Sequence, residues 1–188
     1  MAVALPIDLS RTYTAEEFAV LPDDDRRCEL VDGRVVPMIW PTSRHSWVSE
    51  VIRDVLATYI KPRGLGYVLR EIGVILRRAP DTVRGPDVAF FSKGRTPIPF
   101  PEPYMPAPDL AVEVLSPSNR RSQVARKVSE YLRAGVRAVW VADSRARTIT
   151  IHSPGADPVV LSEADTLDGG EIIPGFRHRV SALFADPT

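Results

Sequence analysis

The chain has 188 residues, 44% of them hydrophobic and 26% charged, which suits one folded domain and excludes intrinsic disorder. Its 24 basic and 24 acidic residues cancel, which excludes a protein that coats nucleic acid by charge alone but leaves room for a local basic groove. Cys28 is the one cysteine, so no internal disulfide is possible; the N-terminus lacks the basic flank of a signal peptide, and no run approaches the roughly 18 apolar residues of a membrane span, so a cytoplasmic protein is expected.

The first predicted element is a short helix over residues 14–19, capped by Thr14 with Glu17 three residues later. In CELVDGRVVPM, Asp32-Gly33 stands between two apolar runs and predicts a two-residue hairpin. SRHSWVSEVIRDVLATYI carries Trp47, Val48, Val51, Ile52, Val55, Leu56 and Tyr59 at helical spacing, with Ser43 as the expected cap and Gly64 and Gly66 as the stop. GYVLREIGVIL reads as one strand or two. GPDVAFFS and DLAVEVLS read as short strands, each with an acid inside an apolar run. Between them, Pro97, Pro99, Pro101, Pro103, Pro106 and Pro108 predict an extended, polyproline-like loop. Residues 119–134 predict an amphipathic helix with Val124, Val128, Tyr131 and Leu132 on one side and Gly135 as its stop. RAVWVAD and RTITIHS follow as two strands, and the tail from Val159 to Thr188 as further strand and a brief helix. The expected fold is α/β (α+β): one domain over residues 1–188 with a mixed central sheet flanked by helices, an N-terminal hairpin and additional C-terminal strands.

Alternate residues of a strand share a face, so Asp87 goes with Ala89 and Phe91, and Glu113 with Asp109, Ala111 and Leu115. Both acids are expected inside apolar strands near the sheet centre. Burying an ionised carboxylate alone costs roughly several kcal/mol, and two close together force one to protonate. A divalent cation removes both penalties, and oxygen ligands suit Mg²⁺. A buried Arg70, Arg84 or Arg133 would also serve, and the residues alone leave both readings open. Lys127 lies at the edge of the sheet-facing side of its helix and can reach back toward Glu113. There its amine could position or deprotonate a water and neutralise transition-state charge; the plain alternative is a solvated lysine paired with Glu130.

The ordered set GPDVAFF, DLAVEVLSPS, RK and EYLRAGVRAVWVAD resembles the Uma-type family of restriction endonucleases, in the PD-(D/E)XK nuclease superfamily. CELVDGRVVPM, PTSRHSWVSEVI and EIIPGFRHRVSALF extend the resemblance to nearly the whole chain, with a nuclease-like core over residues 14–184. It implies a restriction-endonuclease-like fold and a Mg²⁺-dependent endonuclease, with Mn²⁺ as a substitute, cutting phosphodiester bonds in nucleic acid, DNA above all. It also implies Asp87 and Glu113 as metal ligands, the Val114 carbonyl as a further ligand, and Glu29, the hairpin glutamate, as an N-terminal acid of the metal site. Lys127 takes the catalytic role by migration, because Leu115 stands where the superfamily places its lysine. Gln123 and Arg126 stand where the family often has acids. Glu29 has a second reading, a cross-strand pair with an arginine. Glu71 could line the same cleft or the surface, and His45 could contact substrate or sit near a helix cap. Arg120, Arg121, Arg126 and Arg133 crowd around the expected catalytic helix, whose N-terminus attracts phosphate, or form a solvated face. Trp40, Trp47 and Trp140 read as core or interface rather than as platforms on which bases stack. Cutting both strands needs two sites, so a homodimer is expected, the C-terminal strands being one possible interface. Two other readings compete: a catalytically inactive nuclease-fold module that binds nucleic acid or protein, and a protein of unrelated activity in which the acids form a salt-bridge network.

Overall fold

The computed structural model describes residues 7–21, 27–96, 99–116 and 120–187. Pro97 of the proline-rich loop, Asn119 at the expected start of the catalytic helix and Thr188 of the tail lie outside the described residues.

Helix α1 (Ala15–Ala19) forms with the expected capping box of Thr14 and Glu17. The hairpin follows as β1 (Cys28–Val31) and β2 (Arg34–Pro37), paired antiparallel with Leu30 opposite Val35. Asp32 and Gly33 turn it at φ 52° and 75°, the positive-φ geometry that an Asp-Gly pair tolerates. The hairpin does not stand alone. β1 also pairs with β5 (Thr82–Arg84), which pairs with β4 (Val74–Arg77), giving an antiparallel sheet in the order β2-β1-β5-β4. Strand β5 was not foreseen: three residues, all buried, are too few to show alternation.

The second sheet has six strands in the order β10-β9-β8-β7-β6-β3. They are β3 (Gly66–Leu69), β6 (Val88–Ser92), β7 (Leu110–Val114), β8 (Ala138–Asp143), β9 (Thr148–His152) and β10 (Val159–Leu161). GYVLREIGVIL therefore splits into β3 and β4, which belong to different sheets. β7 and β8 run parallel and the other neighbours antiparallel. A parallel pair needs a crossover, and helix α3 (Arg121–Arg133) supplies it. Gly66 lets β3 approach β6: a Cβ there would lie 2.0 Å from the Phe91 carbonyl oxygen.

Alternation along the strands sorts the core into two faces. Val88, Phe90, Val112, Val114 and Trp140 pack against Val48, Ile52, Leu56 and Ile60 of α2 (Ser43–Ile60). Ala89, Phe91, Ala111, Val139 and Val141 pack against Val128 and Tyr131 of α3. The cap of α2 is Thr42 rather than Ser43; its hydroxyl accepts the His45 N–H, one residue earlier than expected. The chain closes with a ribbon, β11 (Thr166–Asp168) and β12 (Arg177–Arg179), and helix α4 (Val180–Leu183). After α4 the backbone is tied to the start of α2: Arg44 and Arg147 donate to the Phe184 carbonyl at 2.6 and 2.9 Å, and the Trp47 indole N–H donates to that of Ala185 at 2.8 Å.

Candidate active site

Glu113 lies on β7 and points to the α3 side of the sheet, where its side chain is 12% exposed. Lys127 and Tyr131 are one helical turn apart on α3, so both reach it. The Lys127 ammonium donates to the two Glu113 oxygens at 3.2 and 3.0 Å, and the Tyr131 hydroxyl donates to Oε1 at 2.7 Å. Burial pushes the Glu113 carboxyl up to about 7; the charge of Lys127 opposes this, while Asp87 and Glu29 add to it. Burial works against the Lys127 charge too, but Glu113 and Glu29 outweigh it and hold the amine above the usual lysine range.

Glu29, on β1, enters from the hairpin sheet and is buried. Its Oε2 accepts from Arg84 at 2.7 Å, and its Oε1 accepts from the Gly85 N–H at 3.1 Å and lies 3.0 Å from the Lys127 amine. Burial opposes its ionisation, yet Lys127 and Arg84 together hold its carboxyl below the usual range. Arg84 also donates to Glu130 at 2.7 Å, so it bridges two acids from different elements. The arginine pairing considered for Glu29 is present alongside the lysine contact.

Asp87 is not inside its strand. It sits one residue ahead of β6, at the sheet end, with its side chain 17% exposed. The expectation of a position near the sheet centre fails because pairing with β7 begins only at Val88, opposite Val112. Asp87 Oδ2 accepts the Val114 N–H at 2.7 Å, which ties it to the residue after Glu113. Its Oδ1 lies 2.9 Å from His45 Nε2, in the first turn of α2.

One end of β7 thus gathers Asp87, Glu113, Lys127, Glu29, Val114 and His45. Glu71 stands at the rim, 57% exposed, beside Arg27 at 3.4 Å and Arg70 at 3.9 Å, and lines the same small cleft as His45 and Asp87. Arg120 and Arg121 are exposed at the start of α3. Arg126 turns toward the hairpin, held by Asp32 and Glu130 at 2.7 Å each. Glu130 pairs with Arg84 and Arg126, not in the i+3 arrangement considered for Lys127. Asp109 is at the other end of β7, satisfied by the Ser92 N–H at 2.8 Å and by Arg95 at 2.6 Å. Tyr131 was read from the sequence as core alone; its spacing of four from Lys127 was the signal that it shares the lysine's target.

Among the described residues no group of three or more His, Cys, Asp and Glu side chains is spaced to hold a metal unaided. The donors nearest that role are the carboxylates of Asp87 and Glu113, oxygen ligands in a cluster with surplus negative charge. That set fits a hard divalent cation that draws its remaining ligands from water and substrate.

The family model described as "Uma2: Putative restriction endonuclease" matches residues 15–182. Among solved structures, the crystal structure of a "putative nuclease belonging to DUF820" from Anabaena variabilis ATCC 29413 is similar in fold. The TM-score is 0.81 at 21% sequence identity, over 91% of this chain and 97% of that chain. No curated protein matches the chain.

Proposed function

The chain belongs to the Uma2 family, and from that premise we propose that it hydrolyses phosphodiester bonds in nucleic acid, DNA first, using a divalent cation at Asp87 and Glu113. One observation carries the reading: a lysine amine 3.0 Å from a buried carboxylate whose burial pushes it up to about 7, with a second carboxylate bonded to the next residue's N–H. Such a cluster gains from added positive charge. Mg²⁺ or Mn²⁺ suits its oxygen donors, with the Val114 carbonyl as a further ligand. When bound, the cation would polarise the phosphate and lower the pKa of an attacking water.

The protein's own groups do the rest. The Lys127 amine, held protonated by two carboxylates, serves as a fixed charge and hydrogen-bond donor to the phosphate rather than as a base. Tyr131 fixes the rotamer of Glu113. The Val114 N–H and His45 fix Asp87. Glu29, whose charge is already met by the buried Arg84 as well as by the lysine, acts as the second anchor of Lys127 instead of as the metal ligand that the resemblance implies.

Titration calorimetry on the whole chain tests the proposal. Mn²⁺ should bind at one saturable site, and Asp87→Asn should weaken it by about tenfold or more with the fold intact. Lys127→Met should keep the cation and lose plasmid cleavage by roughly 100-fold. Absent binding, or binding that Asp87→Asn leaves unchanged, sinks the proposal. The network of Arg84, Glu29, Lys127 and Glu113 favours one other reading, an inactive nuclease-fold module; that reading requires nucleic-acid binding indifferent to metal, and no cleavage.

A further inference from the structure

The cleft that contains Asp87 has a second wall. Between β2 and α2 the chain runs without regular structure, pinned by the Met38 N–H on the Arg27 carbonyl at 2.7 Å and by the Thr42 cap. Held this way, it turns Ile39 and Trp40 outward, 76% and 69% exposed. Met38 in the same connection, Val36 on β2 and Trp47 on α2 are exposed beside them. One exposed apolar side chain needs no explanation, but a run of them beside a cleft marks a contact surface. Pro41, next to Trp40, lines that cleft with Arg27, His45, Arg70, Glu71 and Asp87.

The polar groups of the cleft point to the chemistry of the occupant. The Arg27 guanidinium lies 6.0 Å from the centre of the Trp40 ring, so a cation and an aromatic face are presented together. Glu71 stands 3.4 Å from Arg27 and 3.9 Å from Arg70, and Glu50 on α2 pairs with one terminal nitrogen of Arg70, which leaves its Nε and the Arg27 guanidinium for an incoming anion. Among the described residues, Arg70 Nε and His45 Nδ1 are buried without a hydrogen-bond partner. The first is a fixed donor, and a phosphate oxygen is the acceptor that a guanidinium matches. A nucleotide carries that oxygen and also a flat base for the indole. Inside an unbroken duplex each base face is covered by its neighbour, so Trp40 can stack only on a base that has left the stack.

We propose that residues 36–41 and Arg70 form a subsite for an unpaired nucleotide beside Asp87, with the base on Trp40 and its phosphate toward Arg27 and Arg70. The substrate is then nucleic acid with a single-stranded stretch, not continuous duplex. The inference rests on the nuclease reading for the class of polymer and adds its strandedness.

Fluorescence anisotropy of the whole chain in Ca²⁺ tests it, with a labelled single strand of about 15 nucleotides and a blunt duplex of the same sequence. The single strand should bind at least about tenfold more tightly than the duplex. Trp40→Ala should lose about tenfold of single-strand affinity, and Trp40→Phe should keep most of it, because stacking on one base contributes on that order. The residue is exposed, so the thermal midpoint of both variants should match the parent. Equal affinity for duplex overturns the proposal, as does a Trp40→Ala variant that binds the single strand undiminished. A variant that changes from dimer to monomer in sedimentation while binding stays intact also overturns it, and assigns the patch to contact between copies. Failure of the nuclease reading looks different: no cation binding at Asp87, while the single strand still binds through Trp40, which supports the subsite.

Discussion

Glu113 is the residue on which pH acts most directly. Its carboxyl stands at about 7 in the folded chain, raised by burial from an ordinary 4.5. Without a cation, the folded state therefore binds a proton that the unfolded chain has released between those two values. Stability should fall as pH rises from about 4.5 toward 7 and level off above it. Thermal midpoints in a chelating buffer at pH 6 and pH 8 should show this drop, and Glu113→Gln should abolish it. A cation competes with the same proton, so Mn²⁺ affinity should strengthen with pH, by roughly tenfold per unit well below pH 7. A flat affinity profile would exclude Glu113 from the cation site. Glu113 is legible in sequence because charge inside an apolar run is costly and stands out, whereas Asp87 borders its run and the burial expected for it is not what the fold gives. Tyr131 is not, because an aromatic on an apolar helix face is counted as core whether or not its hydroxyl has a task. The partner of Glu29 was also beyond reach: several arginines could have met it, and only the fold selects Arg84.

At the scale of elements, the site depends on a strut that crosses three of them. Arg84 on β5 reaches Glu29 on β1 and Glu130 on α3, and its side chain is 7% exposed. The hairpin sheet is thereby fastened to the helix that carries Lys127. Arg84→Met removes the charge but keeps the volume, leaving two acids in or near the interior with less compensation. The expected loss is about 3–5 kcal/mol in urea denaturation, the usual size when one partner of a buried pair is removed. A loss under about 1 kcal/mol would mean the bridge is only a surface ornament of the fold. The hairpin itself was legible from Asp32-Gly33, since few other dipeptides accept two positive φ angles. Strand β5 was not, because its membership is decided by neighbours on both sides rather than by a pattern of its own. Likewise, GYVLREIGVIL carries no mark of where one sheet ends and the next begins; Glu71 at φ 51° makes that break.

On the scale of the molecule, the mixed sheet between two helices and the tail of extra strands were readable from alternation and helical spacing, and the observed six-stranded sheet and the fold likeness at TM-score 0.81 agree with that reading. The partition into two sheets was not readable, because hydrophobic pattern gives the face of a strand and not its neighbour. The tie between the chain's end and α2 also belongs to this scale. Phe184 is fully buried against the α2 face, and its carbonyl takes two arginine donors. Shortening the chain to residue 183 should cost roughly 3–5 kcal/mol, read as a lower urea midpoint, since a large side chain and its packing are lost. His45 is one residue from Arg44 in the same helical turn, so the seat of Asp87 loosens with it. Loss of Phe184 would thus leave every proposed ligand and the lysine in the polypeptide and still disturb the helix whose first turn seats Asp87.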